Sequence, residues 1–114
     1  MYFTVTEACF SSEDQAYAEI ARRGWFAKAS TTTEDAELHW HDFDAVAFIV
    51  EGTARAEYQD GTFLIAGVGA RVEAPAGVAH RNLGPSWKQI VGVSVDPAKM
   101  TQPVNKAVVA KLFS

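Results

Sequence analysis

Along most of the chain apolar and polar positions alternate in short runs, and each run is broken by Gly, Pro, Asp or Asn. Side chains alternate faces along a strand, so the runs predict strands over residues 25–29, 37–41, 45–50, 53–59, 62–66, 71–74 and 87–96. Residues 2–6 are also β-prone and read as a strand or an extended arm. Asp60-Gly61, between two of the runs, is a strong hairpin signal. Residues 30–35 are polar and Thr-rich and read as a loop, Asp42-Phe43-Asp44 is a brief interruption, and Pro75, Gly77 and Pro97 end strands. One early segment has a different period. Ser12 with Gln15 forms a capping box, Glu13 and Asp14 fill the first turn, Arg22 and Arg23 the last, and Gly24 is the stop. Ala16, Tyr17, Ile20 and Ala21 make an apolar stripe, so residues 12–23 predict a short helix packed outside the domain. In the tail, Val104, Ala107, Val108 and Leu112 have helical spacing, compatible with a short C-terminal helix over 104–113. Many short strands without a βαβ rhythm mean an all-β, antiparallel sandwich or barrel.

Composition narrows the setting. The 114 residues suit a single domain over 1–114 and are too few for two. A chain that is 48% hydrophobic and 21% charged is ordinary for a globular protein. The net charge is −4 and the basic residues are scattered, which argues against nucleic acid as a partner. The single Cys9 excludes an internal disulfide and reads as a small packing residue. The first residues do not read as a signal peptide, and no apolar run approaches the length of a membrane span. The expectation is a cytoplasmic protein without a membrane partner.

The chemistry gathers at His39-Trp40-His41. On a strand both histidines point one way and Trp40 the other, with Glu37 on the histidine face. Two imidazoles from one strand are half of a metal site, and neutral imidazole suits Zn, Cu, Fe and Ni alike. The only other histidine, His80, follows Pro75-Ala76-Gly77-Val78-Ala79.

These residues carry a resemblance to the small single-domain cupins, a jelly-roll β-barrel family. The first cupin motif is a His-x-His pair followed at set spacings by Glu and Gly. Here His39, His41 and Gly52, the latter after Glu51, fall in register over about residues 36–52. The second motif is Gly, then Pro-x-Gly, then His, and Gly69, Pro75, Gly77 and His80 match it over about residues 69–83. There are departures: the acidic ligand position falls on Ala45, the Gly upstream of the pair on Thr33, and the Asn after His80 is displaced to Asn82.

The resemblance implies an antiparallel jelly-roll barrel holding one divalent transition metal (Fe, Zn, Mn, Ni or Cu) on His39, His41 and His80. For the missing Glu two readings stay open. Either the centre has three histidines, as in cupins resembling cysteine dioxygenase or the diketone-cleaving dioxygenase, or a carboxylate from Asp44, through a bulge, or from Glu37 is a fourth ligand. Ala47 and Ile49, in phase with the histidine pair, and Asn82, in phase with His80, are the expected ligand-lining residues of a largely apolar pocket. Arg71 and Glu73 share a strand face and read as a surface ion pair. Three functional readings follow: a metal-dependent, dioxygenase-like oxidoreductase on a small metabolite, a non-catalytic small-ligand sensor, or a metal-independent sugar isomerase or epimerase. Cupin barrels commonly pair. With Trp40, Phe48 and Val50 expected outside the barrel and residues 2–6 free to add a strand, a homodimer is expected. Ordinary imidazole pKa values put the loss of metal below about pH 6.

Overall fold

The computed structural model describes residues 2–101 and 103–108. Two five-stranded antiparallel sheets face each other as a flattened jelly-roll barrel. The first is ordered β1 (Thr4–Thr6), β7 (Arg71–Ala74), β4 (Ala45–Glu51), β9 (Trp87–Val93), β2 (Phe26–Thr32). The second is β10 (Lys106–Ala107), β3 (His39–Trp40), β8 (His80–Asn82), β5 (Ala54–Tyr58), β6 (Phe63–Ala66).

One α-helix among the described residues, α1 (Glu13–Arg22), lies on the outer face of the first sheet. Ser12 caps it by accepting from the Gln15 N–H, and the Gln15 side chain accepts from the Ser11 N–H rather than from Ser12, a box shifted by one residue. The expected stripe is narrower than the sequence implies. Ala16 and Ile20 are fully buried, whereas Tyr17 and Ala21 are exposed, because a ten-residue helix on a flat sheet meets it along one line.

The first sheet is therefore covered on both faces. Val46, Phe48 and Ile90 pack under Ala16 and Ile20, while Ile49, Val72 and Trp87 point into the barrel with Ala54, Ala56, Tyr58 and Leu64 of the second sheet. This explains the unbroken apolar run of β4, the pattern of a strand buried on both sides. It also corrects one expectation: Phe48 and Val50 are covered by α1 rather than left as outer apolar surface. On the second sheet Trp40 donates its Nε1–H to the Ala107 carbonyl and has Lys106 Nζ over its ring.

An ion network clips helix to sheet. Arg23 bonds both Glu73 and Glu19, and Arg71 Nη1 reaches Glu19 Oε1 at 2.9 Å, so the Arg71–Glu73 pair is half of a four-membered cluster.

Several elements differ from the sequence reading: the last long strand ends at Val93 rather than at residue 96, β8 is not among the expected strands, and three further differences follow from the pairing. β2 runs on through Thr32, because all seven of its residues pair with β9. β3 is only two residues long, because its β8 pairing is confined to His39 opposite His80. Lys106–Ala107 is a strand paired with β3, not helix, since β3 would otherwise be an open edge. The remainder of the helix expected in the tail lies outside the described residues. β1 pairs with β7 of its own barrel.

The helix sits close because β9 carries Gly92 beneath it. A Cβ built there would lie 2.7 Å from Ile20 Cγ1 and Cγ2, well inside van der Waals contact. Gly92→Ala is expected to lower stability by about 1–3 kcal/mol through overpacking, read as a lower urea midpoint with unchanged slope. Adding Ile20→Ala should then cost less than the sum of the two single changes. Strict additivity would show that the helix does not rest on this contact.

Candidate metal centre

β3 and β8 bring the three histidines together. His39 opposes His80 across the ladder, and His41 follows two residues on from His39, on its face. One ligand nitrogen from each ring lies within 4.8 Å of the other two, and the ring centroids are 4.5–5.3 Å apart. Tetrahedral coordination at about 2.1 Å needs nitrogens roughly 3.4 Å apart.

The ring orientations are set from outside. His41 Nδ1 donates to the Val104 carbonyl at 2.8 Å, and His80 Nδ1 to the Val78 carbonyl at 2.9 Å. A carbonyl only accepts, so Nδ1 carries the proton in both rings and the lone pair is on Nε2. His39 Nδ1 lies 3.6 Å from Asp35 Oδ2, too long for a hydrogen bond but close enough for electrostatic support. Asp35 is itself fixed, accepting from the Asn82 N–H at 2.9 Å while its own N–H donates to the Asn82 carbonyl. Phe3 meets the His80 ring edge-on at 4.7 Å, and Phe43 stacks on His41 at 5.2 Å.

Burial favours the neutral form of His80 and His41. His80 is 5% exposed, and desolvation moves its pKa down to about 4 against the opposing bond to Val78. His41 is shifted down for the same reason, with its bond to Val104 opposing. Neutral rings are what a metal requires, so proton competition sets in at lower pH than ordinary imidazole values imply.

Neither candidate fourth ligand joins the cluster. The Asp44 carboxylate is exposed and accepts from the Ala76 N–H at 2.9 Å, tying down the turn whose Gly77 N–H donates to the His41 carbonyl. Glu37 is exposed, and among the described residues the three histidines form the group without a carboxylate. Gly77 takes φ +85° in that turn, which only glycine adopts without strain.

His41 and His80 open onto a cavity of about 140 Å³ inside the barrel. Ala45, Ala47, Ile49 and Asn82 line it. Sequence reasoning missed Thr32, Trp87 and Gln89, which line the same cavity. Gln89 was detectable as a polar residue in phase with Trp87 and Val91. The Val104 carbonyl left no signal, because every residue carries one.

The segment that supplies that carbonyl suggests a test. Outer partners of metal-bound histidines typically matter by about 10–100-fold in metal affinity. A variant ending at Met100 should fold yet bind Zn(II) weaker by that factor in a competition titration, while Val104→Ala, which keeps the carbonyl, should match the wild type. Equal affinity in the truncated chain would remove Val104 from the site.

No protein-family model and no curated protein matches the chain. A solved structure, that of protein NMB1881 from Neisseria meningitidis, is similar with a TM-score of 0.54 and 25% sequence identity, over 64% of this chain and 77% of that one. No helix among the described residues is long and apolar enough to cross a membrane.

Proposed function

We propose that this chain is a small cupin whose His39, His41 and His80 hold one divalent transition metal, and that it is a dioxygenase-like oxidoreductase acting on a small metabolite. The observation that carries the reading is the convergence of three imidazoles, two of them with Nδ1 engaged on carbonyls and lining an internal cavity. A divalent ion held by neutral ligands alone keeps its full charge and open positions, which suits Lewis-acid or oxygen chemistry on a chelating anion. The protein's part is to orient the rings, exclude bulk water and admit only small molecules. Cavity space of about 10–15 Å³ per water-sized group limits the ligand to roughly ten non-hydrogen atoms.

The cavity lining favours this over the isomerase reading. No Asp, Glu, Lys or Tyr is among the described residues that line it, so acid–base chemistry without metal would have only the histidines to use. Elemental analysis of untagged protein purified without chelators should find about one equivalent of metal, and a metabolite panel should elicit oxygen uptake. Metal without turnover would leave a ligand-binding sensor, and no metal would end the enzyme reading.

The proposal extends to a cytoplasmic homodimer. With Phe48 and Val50 covered by α1, its support moves to the β6 edge, where Phe63 and Ile65 are 62% and 59% exposed. Sedimentation showing only monomer at micromolar concentration would refute pairing.

A further inference from the structure

The cavity reaches well beyond the histidines. Asn82 lies two residues along β8 from His80, on the same face, and Gln89 lies opposite Ile49, four residues along β4 from Ala45. At about 3.3 Å per residue the second interval is roughly 13 Å, so the cavity has a histidine end and a far end. Three uncharged polar side chains line it: Asn82, Gln89 and Thr32.

Each has unused hydrogen-bonding capacity. Gln89 Oε1 accepts from Trp87 Nε1–H at 3.0 Å, which orients the amide and leaves its NH₂ without a protein partner. Asn82 is held through its backbone by Asp35, while its side-chain amide and the Thr32 hydroxyl have no hydrogen-bond partner among the described residues. The lone charged residue in the lining, Arg55, belongs to the outer face of β5, opposite Ile65 on β6, and is exposed. A cavity that is otherwise apolar, its histidines apart, thus carries three neutral donor–acceptor side chains and no inward-facing charge among the described residues that line it.

We propose that Asn82, Gln89 and Thr32 form a specificity subsite that selects ligands with an uncharged hydrogen-bonding tail and rejects charged tails. This rests on the metal reading above, with the chelating head of the ligand at the histidine end. A hydroxyl or amide tail both donates and accepts, matching these groups. A carboxylate tail would lose its hydration with no cation to replace it. An alkyl tail would leave the amides unpartnered, the situation by which a polar site discriminates.

Three matched probes separate these cases: 2-hydroxypentanoate, 2,5-dihydroxypentanoate and 2-hydroxyglutarate share one chelating head and differ at the tail. Each is titrated calorimetrically into cobalt(II)-loaded protein, with the visible cobalt band reporting chelation. The hydroxyl tail should bind about tenfold tighter than the alkyl tail, a step of about 1.4 kcal/mol, and the carboxylate tail weakest. Gln89→Glu keeps the acceptor for Trp87 but replaces the free NH₂ with an oxygen, and Asn82→Ala removes the other amide. Each should erase several-fold of the hydroxyl preference with cobalt content unchanged. Protein that holds cobalt but binds all three probes equally, binds none, or keeps its preference in both variants overturns the subsite alone. Protein that takes up no cobalt overturns the metal reading and the subsite with it.

Discussion

His80→Ala is expected to abolish stoichiometric metal binding while leaving the barrel folded. The loss should exceed the roughly 10–100-fold typical of outer-shell changes, because the imidazoles of His39 and His41 cannot enclose an ion alone. The fold should survive because it rests on strand ladders and two apolar clusters, and His80 belongs to neither cluster. The reciprocal change is Ala45→Glu. Ala45 lines the cavity with His41 and His80, so a carboxylate there reaches the open side of the centre and offsets the ion's charge. Metal affinity should rise by at least about tenfold, or 1.4 kcal/mol, and any oxygenase activity should fall because a position for substrate is filled. Ala45→Gln, of the same size without charge, should do much less. Asp44→Asn should retain metal like the wild type, since Asp44 is engaged on the Ala76 N–H and an amide oxygen can accept that bond too. Metal analysis of the four variants decides: loss in Asp44→Asn comparable to His80→Ala would make Asp44 a ligand and refute the three-histidine centre.

The second large effect is on pH. With His80 at about 4 in the fold and about 6.5 in the unfolded chain, the unfolded state binds more protons between those values. Stability therefore rises with pH across that window, is fully present above about 6.5, and is lost as pH falls towards 4. For this largely buried ring the difference is of the order of 3 kcal/mol, and His41 adds to it in the same direction. Urea unfolding of metal-free protein from pH 4 to 8 should show the fall, and His80→Gln should flatten most of it. A wild-type curve without slope between 4 and 6.5 would mean that the ring is solvated. Metal affinity should likewise hold to lower pH than a solvent-exposed histidine site.

What the sequence determined by itself is local. Alternation, turn residues and a capped helix specify an all-β chain with one helix, because strand and helix periods are properties of the backbone. Strand phase placed His39 with His41 and assigned Ala45, Ala47, Ile49 and Asn82 to the interior for the same reason. Gly52 was legible too: it takes φ +79° at the β4–β5 corner, with Trp87 Cβ 3.2 Å from where its own Cβ would be. Tertiary structure decided what depends on partners distant in sequence. Lys106–Ala107 became a strand because β3 offered an edge, overriding a helical pattern. Phe48 and Val50 were covered because Gly92 let α1 approach, which their own alternation does not encode. Asp44 and Glu37 were set apart from the rings by how the 42–44 and 33–38 segments turn, and residue type alone cannot aim a carboxylate. The acid shift of His80 also came only from the fold, since desolvation is a property of the atoms packed around a ring and not of the ring itself.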